Sequence, residues 1–127
     1  MLALLAAILT LSAAEVSPWV GVWTYDACHE DRMPGHTSQT YCREGQDRIM
    51  ISLDDAGTWD ISRCPADPWG ERGVTSVDGG RALTFRMPEG FDVRLIMGED
   101  RAHFRGLFRG AGGHTGRIWG RRVAGCG

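Results

Sequence analysis

Lysine is absent from this 127-residue chain, so all fourteen basic side chains are arginines. The bias carries no functional weight alone, because the net charge is −2 and the chain as a whole is not basic. Runs of apolar residues are short. The longest is MLALLAAILTLSAA at residues 1–14, below the roughly 18–20 residues that a membrane-spanning helix needs. A stable transmembrane insertion is therefore not expected. Low-complexity tracts are missing too, which argues against disorder. No nucleophile motif, phosphate-cradling glycine loop or paired-carboxylate spacing occurs, and nothing supports a specific reaction. Nucleic-acid motifs are also lacking, and with a net acidic chain a nucleic-acid partner is disfavoured.

Residues 1–14 end in Ser12-Ala13-Ala14, small residues at the positions a signal peptidase reads. The expected organisation is a signal peptide over 1–14 and one domain over 15–127, secreted or periplasmic. Four cysteines follow, Cys28, Cys42, Cys64 and Cys126. An even number after an export signal suggests two disulfides, and three pairings are open. The preferred one joins Cys28 to Cys42, clipping a long polar loop, and Cys64 to Cys126, pinning the tail. Each bridge would contribute about 3–4 kcal/mol by loop-closure entropy.

The stretch Trp19-Val20-Gly21-Val22-Trp23-Thr24-Tyr25 alternates with period two, and one face carries Trp19, Gly21, Trp23 and Tyr25. Seven further alternating segments follow, at 48–53, 58–64, 74–77, 82–87, 91–97, 102–109 and 116–123. Short turns such as Asp54-Asp55-Ala56-Gly57 and Asp78-Gly79-Gly80 separate most of them. Between the first two, Asp26 to Gln46 reads as a long polar excursion with room for a short helix or a lid, and Pro65 to Arg72 reads as a loop. After residue 14 no helical period is present. The expectation is an all-β domain, a single eight-stranded antiparallel up-and-down barrel, because closure removes exposed sheet edges. A barrel of that size is either filled by side chains or holds one small ligand.

Gly21-Val22-Trp23 resembles the G-x-W motif of the lipocalins and the wider calycin group. The resemblance implies that Trp23 lies across the closed end of the barrel, with an arginine of the last strand, Arg121 or Arg122, stacked on its ring. A Cys64–Cys126 bridge is similar to the tail-to-wall disulfide of many lipocalins. The chain is shorter than typical lipocalins and lacks their helix, which moves the likeness toward the avidins and the small bacterial metalloprotease inhibitors with a calycin barrel. No biotin-contact set is recognisable.

The function expected from these residues is that of an exported, non-enzymatic, lipocalin-like binding protein. A small apolar or amphipathic ligand would sit in a cup lined by Trp19, Tyr25, Trp59, Phe85 and Phe104. The alternative is a protein-binding module, such as a periplasmic protease inhibitor, on a filled scaffold. The same aromatics then form core, and Gly21 and Gly106 make room for bulky neighbours rather than for ligand. No cofactor and no metal are expected. Cys28, His29, His36 and Cys42 do not have a common zinc spacing, and Asp26, His29, Glu30 and Asp31 read as solvated loop charge. From Arg101 onward there are six arginines (Arg101, Arg105, Arg109, Arg117, Arg121, Arg122) and no Asp or Glu. They form either a cationic face for an anionic lipid or acidic protein, or pairs with acidic residues of neighbouring strands.

Overall fold

The computed structural model describes residues 17–31, 39–43, 45, 47–64, 67–68, 72–87, 90–110 and 114–126. The expected signal peptide at 1–14 lies outside them. The strands are β1 (Gly21–Asp31), β2 (Gln39–Arg43), β3 (Arg48–Leu53), β4 (Trp59–Arg63), β5 (Asp67–Pro68), β6 (Arg72–Val77), β7 (Ala82–Arg86), β8 (Asp92–Met97), β9 (His103–Arg109) and β10 (Thr115–Val123). A single 3₁₀ turn, Asp78–Gly80, joins β6 to β7, and no α-helix occurs among the described residues.

With β2 and β5 set aside, the other eight strands correspond to the eight alternating segments of the sequence, though β1 runs on past Tyr25 to Asp31 and β6 begins at Arg72 rather than Val74. They follow one another around one antiparallel sheet in the order β4-β3-β1-β10-β9-β8-β7-β6. The first strand pairs with the last: nine residues of β1, from Val22 to Glu30, run against Val123 to Thr115 of β10. That pairing turns a meander into a nearly closed, barrel-like sheet. The remaining seam lies between β4 and β6, which touch but share no backbone ladder among the described residues.

The 26–46 region differs from expectation. It begins as the second half of β1, which takes β3 beside Gly21–Thr24 and β2 beside Ala27–Asp31. The polar excursion is thus partly a hairpin, with Cys28 directly opposite Cys42. Ala27–Asp31 and Gln39–Arg43 carry no run of alternating apolar residues, so no hydrophobic alternation announces the hairpin. Similarly, Asp67–Pro68 adds a two-residue strand beside β4 where a loop is expected.

Alternation decides what the barrel encloses. Trp23 and Tyr25 of β1, Ile49 and Ile51 of β3, Ile61 of β4, Leu83 and Phe85 of β7, Val93, Leu95 and Met97 of β8, Phe104 of β9 and Ile118 of β10 form one core with Trp19. Burying each such side chain is worth roughly 1.5–3 kcal/mol. No polar or charged residue is buried among the described residues. The tight turns use side-chain acceptors: Asp54 Oδ1 takes the N–H groups of Ala56 and Thr58 at 2.9 and 2.8 Å, holding the β3–β4 turn. Gly57 sits there at φ +85°, a conformation that favours glycine.

The cysteines pair as Cys28–Cys42 and Cys64–Cys126. The second bridge holds the C-terminal tail against β4, and Arg48 Nη1 donates to the Gly125 carbonyl at 2.6 Å beside it.

Candidate functional site

The end of the barrel where β1 begins is sealed by a ring of specific contacts. Trp19 precedes β1 in a turn that folds its indole beneath the sheet. Its Nε1 donates to the Gly80 carbonyl at 2.9 Å, across the barrel mouth, and Trp23 Nε1 donates to the Trp19 carbonyl at 3.0 Å. Both rings are fully buried, so these bonds satisfy the only polar atom of each indole. The Cζ of Arg122 lies 4.4 Å from the Trp23 ring centroid. Its Nη1 donates to the Val20 carbonyl at 2.8 Å and its Nη2 to the Pro18 carbonyl; Nε and Nη2 both reach the Arg101 carbonyl at 3.4 Å. One guanidinium thus ties the entry turn to the β8–β9 turn. Gly21 permits this: at φ +144° it has no side chain, and a Cβ there would come within 2.5 Å of Arg122 Nη1.

Of the four residues expected at the closed end, the structure brings together Gly21, Trp23 and Arg122. Arg121 corrects the expectation: strand alternation turns it outward, where it is exposed, opposite Thr24 and His103. Adjacent residues on a strand point to opposite faces, so only one of the two arginines can reach Trp23.

The five residues expected to line a cup are all engaged in packing. Trp19, Tyr25, Phe85 and Phe104 belong to the core, and Trp59 packs against it half-buried. The ring centroids of Trp19 and Trp23 lie 6.1 and 5.3 Å from that of Phe104. Inward glycines on β10 receive the rings of β9. Phe104 stands opposite Gly120 and Phe108 opposite Gly116, and a Cβ added to either glycine would overlap the facing ring. Gly106 likewise has no room for a side chain, since a Cβ there would meet the Arg94 carbonyl oxygen first and then Leu95 and Ile118. Towards the other end Phe108 and Phe91 meet edge to face at 5.6 Å, and the Tyr25 hydroxyl reaches Asp47 Oδ2 at 3.4 Å.

Depressions open on the surface among the described residues. One, of about 690 Å³, lies beside the sealed end and includes Pro18, Trp59 and Arg101. A second, of about 580 Å³, includes Phe85, Val93, Phe108 and Arg109. A third, of about 510 Å³, lies where β9, β10 and the β1–β2 hairpin meet; Leu107, Arg117, Trp119 and Glu30 line it.

The last depression adjoins a patterned outer face. Along β9 the outward residues are His103, Arg105, Leu107 and Arg109; along β10 their partners are Arg121, Trp119, Arg117 and Thr115. Every row of this two-strand face holds one arginine, and the arginines alternate between the strands. Among the described residues Arg105, Arg109, Arg117 and Arg121 form no ion pair. Arg94 pairs instead with Asp78, Arg86 with Asp92 at 2.9 Å, and His103 with Asp100 at 2.5 Å. Leu107 is 64% exposed and Trp119 42%. Sequence reasoning found the arginines but missed these two apolar residues; the alternation of Trp119 with inward Ile118 and Gly120 is the signal that places its ring outside.

Cys28 and Cys42 are bonded to each other, and His36 lies outside the described residues. Asp26, His29 and Glu30 are strung along β1, and Asp26 Oδ1 accepts the Gly45 N–H. No group of three potential metal ligands occurs among the described residues. The Asp100 carboxyl is held below its ordinary pKa, first by the Ala102 backbone N–H and then by His103. No protein-family model matches the chain, and no match appears among curated proteins.

Proposed function

We propose that the protein is a non-enzymatic binding module on a filled, calycin-like barrel, which meets a protein partner with its outside surface. The observation that carries this reading is the seating of Phe104 on Gly120 and Phe108 on Gly116. Space that small inward residues would leave for a ligand is taken by rings of the chain itself. The sealed end adds support, since the Arg122–Trp23 contact and two indole hydrogen bonds make a rigid base. A rigid scaffold loses little conformational entropy on binding, which favours affinity for a macromolecule. Protease inhibition is one form of this function, and the disulfides accord with an exported setting.

The cup reading is the competing one. The depression that reaches Phe85, Val93 and Phe108 favours it, because three inward side chains border open volume there. Titration with a fatty acid while following tryptophan emission separates the two. The filled barrel predicts no change at saturating ligand. A blue shift or quenching that saturates would overturn it in favour of a cup.

A further inference from the structure

We propose that the outer face of β9 and β10 is the docking surface, and that its partner is an extended acidic polypeptide strand with an apolar or aromatic residue among its carboxylates. The inference rests on the binding-module reading and names the surface and partner class.

Residues on one face of a strand recur every two positions, about 7 Å apart, and neighbouring strands lie about 4.8 Å apart. The face carries Arg121, Arg105, Arg117 and Arg109 in four successive rows, one per row. A polypeptide laid along it in extended conformation presents alternate side chains at the same interval of about 7 Å. Carboxylates at alternate positions therefore meet one guanidinium after another. Arginine suits the task, because its planar fork binds a carboxylate in bidentate fashion.

Charge complementarity is available rather than already spent. All four guanidiniums are without an ion pair among the described residues, whereas Arg94 and Arg86, nearby on β8 and β7, have theirs. Of the carboxylates near this face, Asp26 accepts the Gly45 N–H and Asp92 holds Arg86. Glu30 lines the depression and stands on β1 beside Thr115, in the row that holds Arg109.

The apolar contribution is local. Leu107 and Trp119 sit diagonally across the two strands, in the middle rows, and both border the 510 Å³ depression. Exposed tryptophan flanked by arginine is the composition of binding hot spots. Two apolar side chains at a hollow fit one inserted residue of a partner. A bilayer surface would instead need a broad apolar face, and the concavity turns away from a flat partner.

The test uses the full exported protein and a fluorescein-labelled peptide of about nine residues, alternating glutamate and threonine with one central phenylalanine. Fluorescence anisotropy should show saturable binding that weakens with salt. Arg105→Glu and Arg117→Glu should each weaken it about tenfold or more, and Trp119→Ser by a similar factor. The milder Arg105→Gln and Arg117→Gln variants cover any loss of folding. Arg63→Glu, a matched charge change at an exposed position of β4, should leave binding unchanged. Absence of binding, equal binding by all variants, or preference for vesicles of equal parts phosphatidylglycerol and phosphatidylcholine would overturn the proposal. The fatty-acid titration is read separately: a filled barrel with no peptide binding removes this surface alone, whereas a saturable fatty-acid response removes the scaffold reading beneath it.

Discussion

Arg122 covers Trp23: the guanidinium carbon stands 4.4 Å from the centre of the indole, and its nitrogens reach carbonyls on two separate turns. The contact joins the first strand to the last, so it fastens the β1–β10 seam, whose pairing turns the meander into a nearly closed sheet. A cation held over an aromatic face contributes about 0.5–2 kcal/mol, and hydrogen bonds from a charged group about 1.5–3 kcal/mol. Arg122→Ala should therefore destabilise the oxidised protein by about 2–4 kcal/mol in urea denaturation. Arg121→Ala, one residue earlier and outward, should stay within about 0.5 kcal/mol. Equal effects would mean that the seam is not fastened at this residue.

Gly120→Ala should be costly for a different reason. The new methyl meets the Phe104 ring, which is itself packed on Trp19 and Trp23. Overpacking of this kind costs about 1–3 kcal/mol. Phe104→Leu in the same chain should recover part of the loss, giving a non-additive double-mutant cycle. Additive losses would show that ring and glycine do not share the space.

The two disulfides should differ in weight. Their half-cystines are separated by 14 and 62 positions in sequence. Loop-closure entropy then assigns about 3 kcal/mol to Cys28–Cys42 and about 4 kcal/mol to Cys64–Cys126. Paired alanine variants, melted under non-reducing conditions, should rank in that order. The reverse order would show that the β1–β2 hairpin, rather than the tail, is the weaker element without its bridge.

Asp100 supplies a pH dependence at the β8–β9 turn. Its carboxylate accepts the Ala102 and His103 N–H groups at 2.9 and 3.1 Å, and its pKa is lowered in the folded protein. A lowered folded pKa means stability that is present above the unfolded value, about 3.9, and is lost as pH falls through the folded value. Wild-type protein should thus lose stability on acidification below about pH 4 more steeply than Asp100→Asn. Parallel pH profiles would remove the turn as a source of acid sensitivity.

Much of the fold is visible in the chain because inward apolar residues alternate with polar ones in eight segments, and period two has one structural meaning. The closed end was legible from Gly21 and Trp23, though choosing Arg122 over Arg121 required the register of β10. The β1–β2 hairpin was hidden, since Cys28, Glu30, Thr40 and Cys42 carry no apolar rhythm and depend on each other and on the disulfide. The fate of the interior was hidden as well. Whether Gly116 and Gly120 leave a hole or receive a ring depends on cross-strand register, which places Phe108 and Phe104 opposite them. The outer face was half visible: the arginines stand out by composition, but their even distribution over two strands, with Trp119 and Leu107 between them, is a property of pairing.

The filled interior is tested most directly by native mass spectrometry of the oxidised protein, purified without organic solvent and then incubated with a mixture of fatty acids and phospholipids. The account predicts one species, at the mass of the oxidised polypeptide, before and after incubation. A second species carrying one lipid at defined stoichiometry, retained in Trp119→Ser and lost when Phe85 or Phe108 is enlarged to tryptophan, would contradict it.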